Sequence, residues 1–376
     1  MKTRFLAAAF LTLAIPRQAL SWGERGHHSA ARSAALTVLA GLDLSALSAE
    51  EADAYRSLES FFRRKAIQLG HLSNIPDTAW RSLDSEASAQ NGPTHFADAD
   101  QWTDDFDSIP LDYPAALQKY HGKPNRIDRK PIDLFESGTS IWRSQELYDL
   151  AVEQWKTVKA STPGSPEQKA AAQKAVVYSG LLAHFIGDAS MPYHNATDYD
   201  GYGTGNGGVH AFFETDIPEV ETPDFEADVH RKIPERWIKL DIEGAFQKGG
   251  ARPAAFLCRE LGKFAFARLP ELRSIDDAFI TRRSSPSAAG QRGSAAQRRP
   301  AEAAAPAFRP MITEQVAGSA AALARLWRGA WEAAGKPDLG KARGWDYAHK
   351  PDFVAPGYDP DALGRIRDRL QNAKKP

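Results

Sequence analysis

The chain has 376 residues, 42% of them hydrophobic and 25% charged, with a formal net charge of -1 at pH 7. That length supplies a core for one large domain or two small ones, and the near-zero charge excludes a global basic field that gathers nucleic acid by electrostatics alone. Cys258 is the only cysteine, which excludes an intramolecular disulfide even in an oxidising compartment.

Residues 1–21 read as a signal peptide. Lys2 and Arg4 open it, the apolar run over 5–15 is too short to span a bilayer, and Ala19 and Ser21 put small side chains where a signal peptidase reads. A buried N-terminal helix is the other reading of the same run. Cleavage before Trp22 makes the protein secreted or periplasmic, and no later run is long and apolar enough for a transmembrane segment.

Helical spacing of apolar residues predicts helices over 28–42, 48–67, 141–160, 166–188, 233–246, 254–268 and 313–334. The second opens on the capping pattern Ser48-Ala-Glu-Glu, and Pro166 starts the fourth. Period-two patterns are scarce, so the expected fold class is all-α: a single multi-helix domain over 22–345, with loop insertions. Residues 195–208, rich in Gly, Asp, Asn and Tyr, read as a loop. Residues 282–310 have little apolar bulk and read as a disordered insertion. Its Arg282, Arg283, Arg292, Arg298 and Arg299 suit a solvated linker, or else contact with phosphate or an anionic membrane surface. Residues 346–376 read as a polar C-terminal arm.

The chemistry concentrates in one region. His184 and Asp188 stand four apart in a predicted helix, so their side chains share a face and suit one metal ion. Such a pair by itself also describes a helix-stabilising surface contact. Here Leu181, Leu182, Phe185 and Ile186 surround it, and a carboxylate buried among them is costly unless a ligand satisfies it. Pro192 ends the helix and sets His194 beside it, and His210 and Glu214 repeat the four-residue spacing. Near the expected mature N-terminus, Trp22-Gly-Glu-Arg-Gly-His27 adds a histidine and a free α-amine, which titrates near 7.7–8.0 and becomes a nitrogen donor once deprotonated. His27 alone also reads as a surface histidine.

His184-Phe-Ile-Gly-Asp188 with Pro192 and His194, together with the Trp22–His27 segment, resembles the superfamily of zinc-dependent phospholipases C and single-strand-specific zinc nucleases. The resemblance covers most of 22–220 and, more loosely, the region of Leu326 and Trp327. It implies one helical fold, a monomeric enzyme and a site for three zinc ions (Zn2+). It adds two ligands: Asp77, within Ser73-Asn-Ile-Pro-Asp77, and His95, within Thr94-His95-Phe96, with Asp98 and Asp100 as rivals to Asp77. By resemblance, Asp77, His95, His184 and Asp188 hold one zinc. The Trp22 backbone, His27 and the bridging Asp188 hold a second, and His194, His210 and Glu214 hold a third that stays open to substrate. His28, His71, His121, His230 and His349 match no element.

The function implied is hydrolysis of a phosphodiester by zinc-activated hydroxide attacking phosphorus. Asp188 would bridge the pair that generates the nucleophile, and Asp77 would orient it. The substrate class divides. The spacing from Trp22 to His27, and Phe96 as a base-stacking group, resemble a single-strand-specific nuclease or nucleotidase, although an aromatic beside a buried ligand is also ordinary core. Glu214, the short loop between His194 and His210, and Ile75-Pro-Asp77 resemble the phospholipases C, toward which the sequence leans, with phospholipid as partner and transient membrane-surface contact. A non-catalytic zinc-binding secreted protein is the reading from another class.

Overall fold

The computed structural model describes residues 23–220, 224–285, 293–340 and 350–373. The expected signal peptide, Trp22 and His349 lie outside them. Among the described residues eight helices have 14 residues or more: α1 (Gly23–Leu36), α2 (Ala49–Leu72), α3 (Ser140–Ala160), α4 (Pro166–Ala189), α5 (Phe225–Lys239), α6 (Pro253–Phe266), α7 (Ala301–Ala333) and α8 (Pro360–Ala373). Strands are confined to β1 (Ile280–Arg282) and β2 (Gln297–Arg298), a two-stranded antiparallel ribbon. The protein is therefore an all-α, single multi-helix domain. No helix among the described residues is long and apolar enough to cross a membrane.

The bundle is organised around α4, which packs most extensively against α3 and also against α2, α7, α1 and α6. Its centre is aromatic: Phe62 on α2 stacks on Trp327 of α7 at 5.2 Å, and Phe61 meets Trp155 of α3 edge-on at 5.6 Å. The Trp327 indole N–H donates to the Ser179 carbonyl of α4 at 3.1 Å, so this burial leaves no orphaned donor. Gly180 lets α2 and α4 touch. A Cβ there would lie 2.4 Å from Leu72 Cβ, so no larger residue keeps the end of α2 beside the last turns of α4.

Four segments depart from the sequence expectation. The 233–246 helix divides into α5 and a second helix, Ile242–Gly249, because Asp241 takes a left-handed conformation (φ 45°) and caps the second one, accepting from Gly244 N. The long C-terminal helix begins at Ala301 and runs through Pro306 and Pro310. Each proline removes a helical N–H, but Ala304, Ala305, Phe308, Met311 and Ile312 are buried on the same stretch, and packing outweighs propensity. The region expected as a disordered insertion is thus ordered in the parts described: β1, β2 and the start of α7 flank residues 286–292, which lie outside the described residues. The C-terminal arm carries α8, whose Ala362 and Ile366 bury against Phe135.

Candidate metal centre

Eight candidate ligands converge where α1 begins and where α2 and α4 end. His27 lies on α1, Asp77 in the turns after α2, and His95 closes the 3-10 turn Gly92–His95. His184 and Asp188 sit on the last turns of α4, and His194 in the 3-10 turn Pro192–Asn195. His210 follows Gly208, whose left-handed backbone (φ 85°) turns the loop into the helical segment Val209–Ala211. Glu214 lies in a π-helical turn, Phe212–Asp216. All eight are buried, Asp77 being the most accessible at 6%. That burial rules out the surface-pair reading of His184 and Asp188.

The side chains form three groups, in each of which one donor atom per residue lies within 4.8 Å of the others: His27, His184 and Asp188; Asp77, His95 and His184; and His194, His210 and Glu214. In the second group His184 Nε2 is 2.8 Å from His95 Nδ1, and Asp77 Oδ1 is 3.5 Å from His95 Nδ1 and 3.8 Å from His184 Nε2. Asp188 spans the first two groups, with Oδ1 3.4 Å from His27 Nε2 and Oδ2 3.2 Å from His95 Nδ1 and 3.3 Å from His184 Nε2. In the third group the Nε2 atoms of His194 and His210 are 3.1 Å apart, and the Glu214 oxygens lie 2.7 Å from His210 Nε2 and 3.5 Å from His194 Nε2.

Backbone carbonyls orient the rings. His184 Nδ1 donates to Ser73 O at 2.8 Å, His194 Nδ1 to His95 O at 2.7 Å, and His210 Nδ1 to Tyr199 O at 2.7 Å. A carbonyl only accepts, so each Nδ1 carries the hydrogen and the neutral ring presents a lone pair at Nε2. Fixing the far ring nitrogen in this way is how proteins orient metal-binding histidines. The 95–97 and 194 segments are also joined by Ala97 N donating to His194 O at 2.9 Å.

The electrostatics of the centre favour a cation. Burial opposes charge on every group here. Even so, Arg81 and His184 lower the pKa of Asp77, His184 and His194 hold Asp188 well below the carboxylate range, and His210 and His194 lower Glu214. His194 is raised to about 9, because Asp188 and Glu214 outweigh its burial, and His184 is raised by Asp188 and Asp77. Burial takes His95 down to about 4, and His27 is lowered by burial and by His184. Three carboxylates thus stay ionised in a dry site and call for positive charge. Among the described residues, His95 Nε2 and Asp188 Oδ1 have no hydrogen-bond partner.

The rival carboxylates serve elsewhere. Asp100 Oδ1 accepts from Thr197 N at 3.0 Å and Thr197 Oγ1 at 2.7 Å, and burial with Asp100 nearby pushes Asp98 well above the carboxylate range. Phe96 is half-buried and meets Tyr199 edge-on at 5.7 Å. Two residues that sequence reasoning missed stand beside the centre. Arg81 Nη2 is 2.6 Å from Asp77 Oδ1 with its side chain 23% exposed, and Tyr199 Oη is 3.3 Å from His194 Nε2. Their only sequence signals are the four-residue step from Asp77 to Arg81 and the aromatic in the Gly-rich loop.

No protein-family model matches the chain, and no curated protein matches it. Among solved structures it is similar to an alpha toxin from Clostridium absonum, with 14% identity over 86% of this chain and 67% of that one, at a TM-score of 0.39. It is likewise similar to Clostridium perfringens alpha-toxin from an avian strain, with 13% identity over 83% and 65% of the two chains and a TM-score of 0.40. The chain spans about two thirds of the length of these toxins.

Proposed function

We propose that this protein is a secreted zinc-dependent hydrolase of phosphate esters holding three zinc ions, and that phospholipid headgroups are its substrate class. One observation carries the reading. His194 and His210, each with Nδ1 committed to a carbonyl, face each other Nε2 to Nε2 at 3.1 Å. With each Nδ1 so committed, the two Nε2 atoms are what remains to converge on a cation, which takes the place of the proton that His194 otherwise holds. Neutral imidazole and carboxylate are the donors zinc takes, and a group of three protein ligands suits a catalytic ion. Asp77, His95, His184 and Asp188 would hold one ion, His27 and Asp188 a second together with the Trp22 amine, and His194, His210 and Glu214 the third.

Bound zinc supplies Lewis acidity and an acidified water. The chain's own residues do the rest. Asp188 lies between two groups and fixes their separation. Asp77, held by Arg81, offers an acceptor that orients a water proton. Arg81 places a cation at the rim, where an anionic phosphodiester is neutralised. The buried histidines and the apolar body of α4 exclude bulk water.

The phospholipid reading draws on Glu214 and on the short chain between His194 and His210. Phe96 and Tyr199, half-buried and paired, favour a second reading: an aromatic edge of this kind stacks a base of single-stranded nucleic acid. The test is a pair of assays on the zinc-loaded mature protein, with phosphatidylcholine and with single-stranded DNA or RNA. Release of phosphocholine supports the first reading, and release of nucleotides the second. Three bound zinc ions with turnover of neither substrate overturn the hydrolase and leave a zinc-binding protein.

A further inference from the structure

Tyr199 touches the third group twice. Its carbonyl accepts the His210 Nδ1 hydrogen at 2.7 Å, and its hydroxyl lies 3.3 Å from His194 Nε2. Its ring packs against both histidine rings, with centroids 4.2 Å from His210 and 5.2 Å from His194, and meets Phe96 on another side. The next residue steadies it: Asp200 Oδ1 accepts from His210 N at 3.2 Å, and Asp200 O accepts from Gly208 N at 3.0 Å. Tyr199 is therefore tied to both ends of the loop between the two histidines, by its hydroxyl to His194 and by its carbonyl to His210.

Four donors at zinc bond lengths of about 2.0–2.1 Å in a tetrahedron lie about 3.3 Å from one another. The separations in this group are 3.1, 2.7 and 3.5 Å among His194, His210 and Glu214, and the Tyr199 hydroxyl adds one of 3.3 Å to His194. We propose that the Tyr199 oxygen, its phenol proton passed to solvent as the ion binds, is the fourth protein donor to the ion held by His194, His210 and Glu214, and that it takes a proton back when it gives up this place to an oxygen of the substrate phosphate. The proposal rests on the metal-centre reading above. It makes the third group closed at rest and open only when an anionic ester competes for the position, and it gives the loop over 195–208 a chemical role beyond carrying His194.

Copper(II) is the probe, because a phenolate oxygen bound to it gives a visible charge-transfer band that imidazole and carboxylate do not. The full mature protein is stripped of metal and titrated with copper(II), alongside Tyr199→Phe and, as control, Tyr193→Phe. Wild type and Tyr193→Phe are expected to show the band and Tyr199→Phe to lose it. Zinc affinity of the third group in Tyr199→Phe should fall by at least about tenfold, the scale on which even the outer partners of metal ligands act. Three metal equivalents bound without the band, or with the same band in Tyr199→Phe, overturn the proposal and leave the metal-centre reading intact. Unchanged metal content in His210→Ala overturns that reading, and the proposal with it.

Discussion

Arg298 grips Asp276 through two hydrogen bonds, Nε to Oδ1 at 2.6 Å and Nη2 to Oδ2 at 2.9 Å, with the Asp276 side chain wholly buried. The same guanidinium donates to Asn206 O at 2.6 Å and Gly207 O at 3.1 Å, while Asn206 Nδ2 donates back to Asp276 Oδ2 at 2.8 Å. The ribbon strand β2 is thereby fastened to the loop that leads into His210. Arg298→Ala should destabilise the fold by about 3–5 kcal/mol, the cost of leaving a buried charge without its partner. It should also weaken metal binding at His194, His210 and Glu214 before the other groups. Urea unfolding and metal analysis check both. A midpoint within error of wild type counts against the clamp.

Asp188→Ala should remove two of the three metal equivalents, because its two oxygens reach into two groups. His210→Ala should remove one. Metal content of the purified variants after dialysis against buffered zinc separates these outcomes, and equal losses would show that the groups do not divide in this way.

Protons and metal compete for the same nitrogen. His194 is raised to about 9 in the metal-free protein, where burial opposes its charge but Asp188 and Glu214 prevail. A raised histidine stabilises in its protonated form. That contribution is fully present below the ordinary value of 6.5 and is lost as pH rises through about 9. Zinc uptake near neutral pH should therefore expel a proton from His194, and affinity should climb with pH between 6.5 and about 9. Calorimetric titration in buffers of different ionisation enthalpy measures the protons released. A heat independent of buffer contradicts the assignment.

Chelation should lower stability as well as activity. Ions that bind only the folded chain stabilise it by mass action, about 4 kcal/mol per site at a thousandfold excess over Kd. Their removal also leaves Asp77, Asp188 and Glu214 ionised in a dry site. The melting temperature should drop on addition of EDTA and recover with zinc. A melting curve unmoved by EDTA would show that the centre is not a zinc site.

Part of the candidate centre was legible from local spacing, whereas Asp77 and His95 entered only through the family resemblance. His184 and Asp188 share a helix face, and their apolar neighbours announce burial. His210 and Glu214 meet at 2.7 Å, although a π-helical turn rather than a regular α-helix brings them together. What escaped reading depends on distant partners. Arg298 looked solvated because Asp276 and Asn206 lie far away in sequence, and Tyr199 looked like loop filler because its carbonyl and hydroxyl find histidines only in the folded loop. The start of α7 was hidden by Pro306 and Pro310, whose cost is offset by burial that no local pattern displays.

The ring of His194 hangs from the carbonyl of His95, so a ligand of one group is seated on the backbone of a ligand of another. Asp188 likewise reaches from His27 on one side to His95 on the other, so a shift in one group is passed to the next. The three sites are neighbours that share supports. An ion of the wrong size in one place should loosen the grip of the group beside it, so that a mismatch at His194 is felt at His95 through the carbonyl that seats its ring.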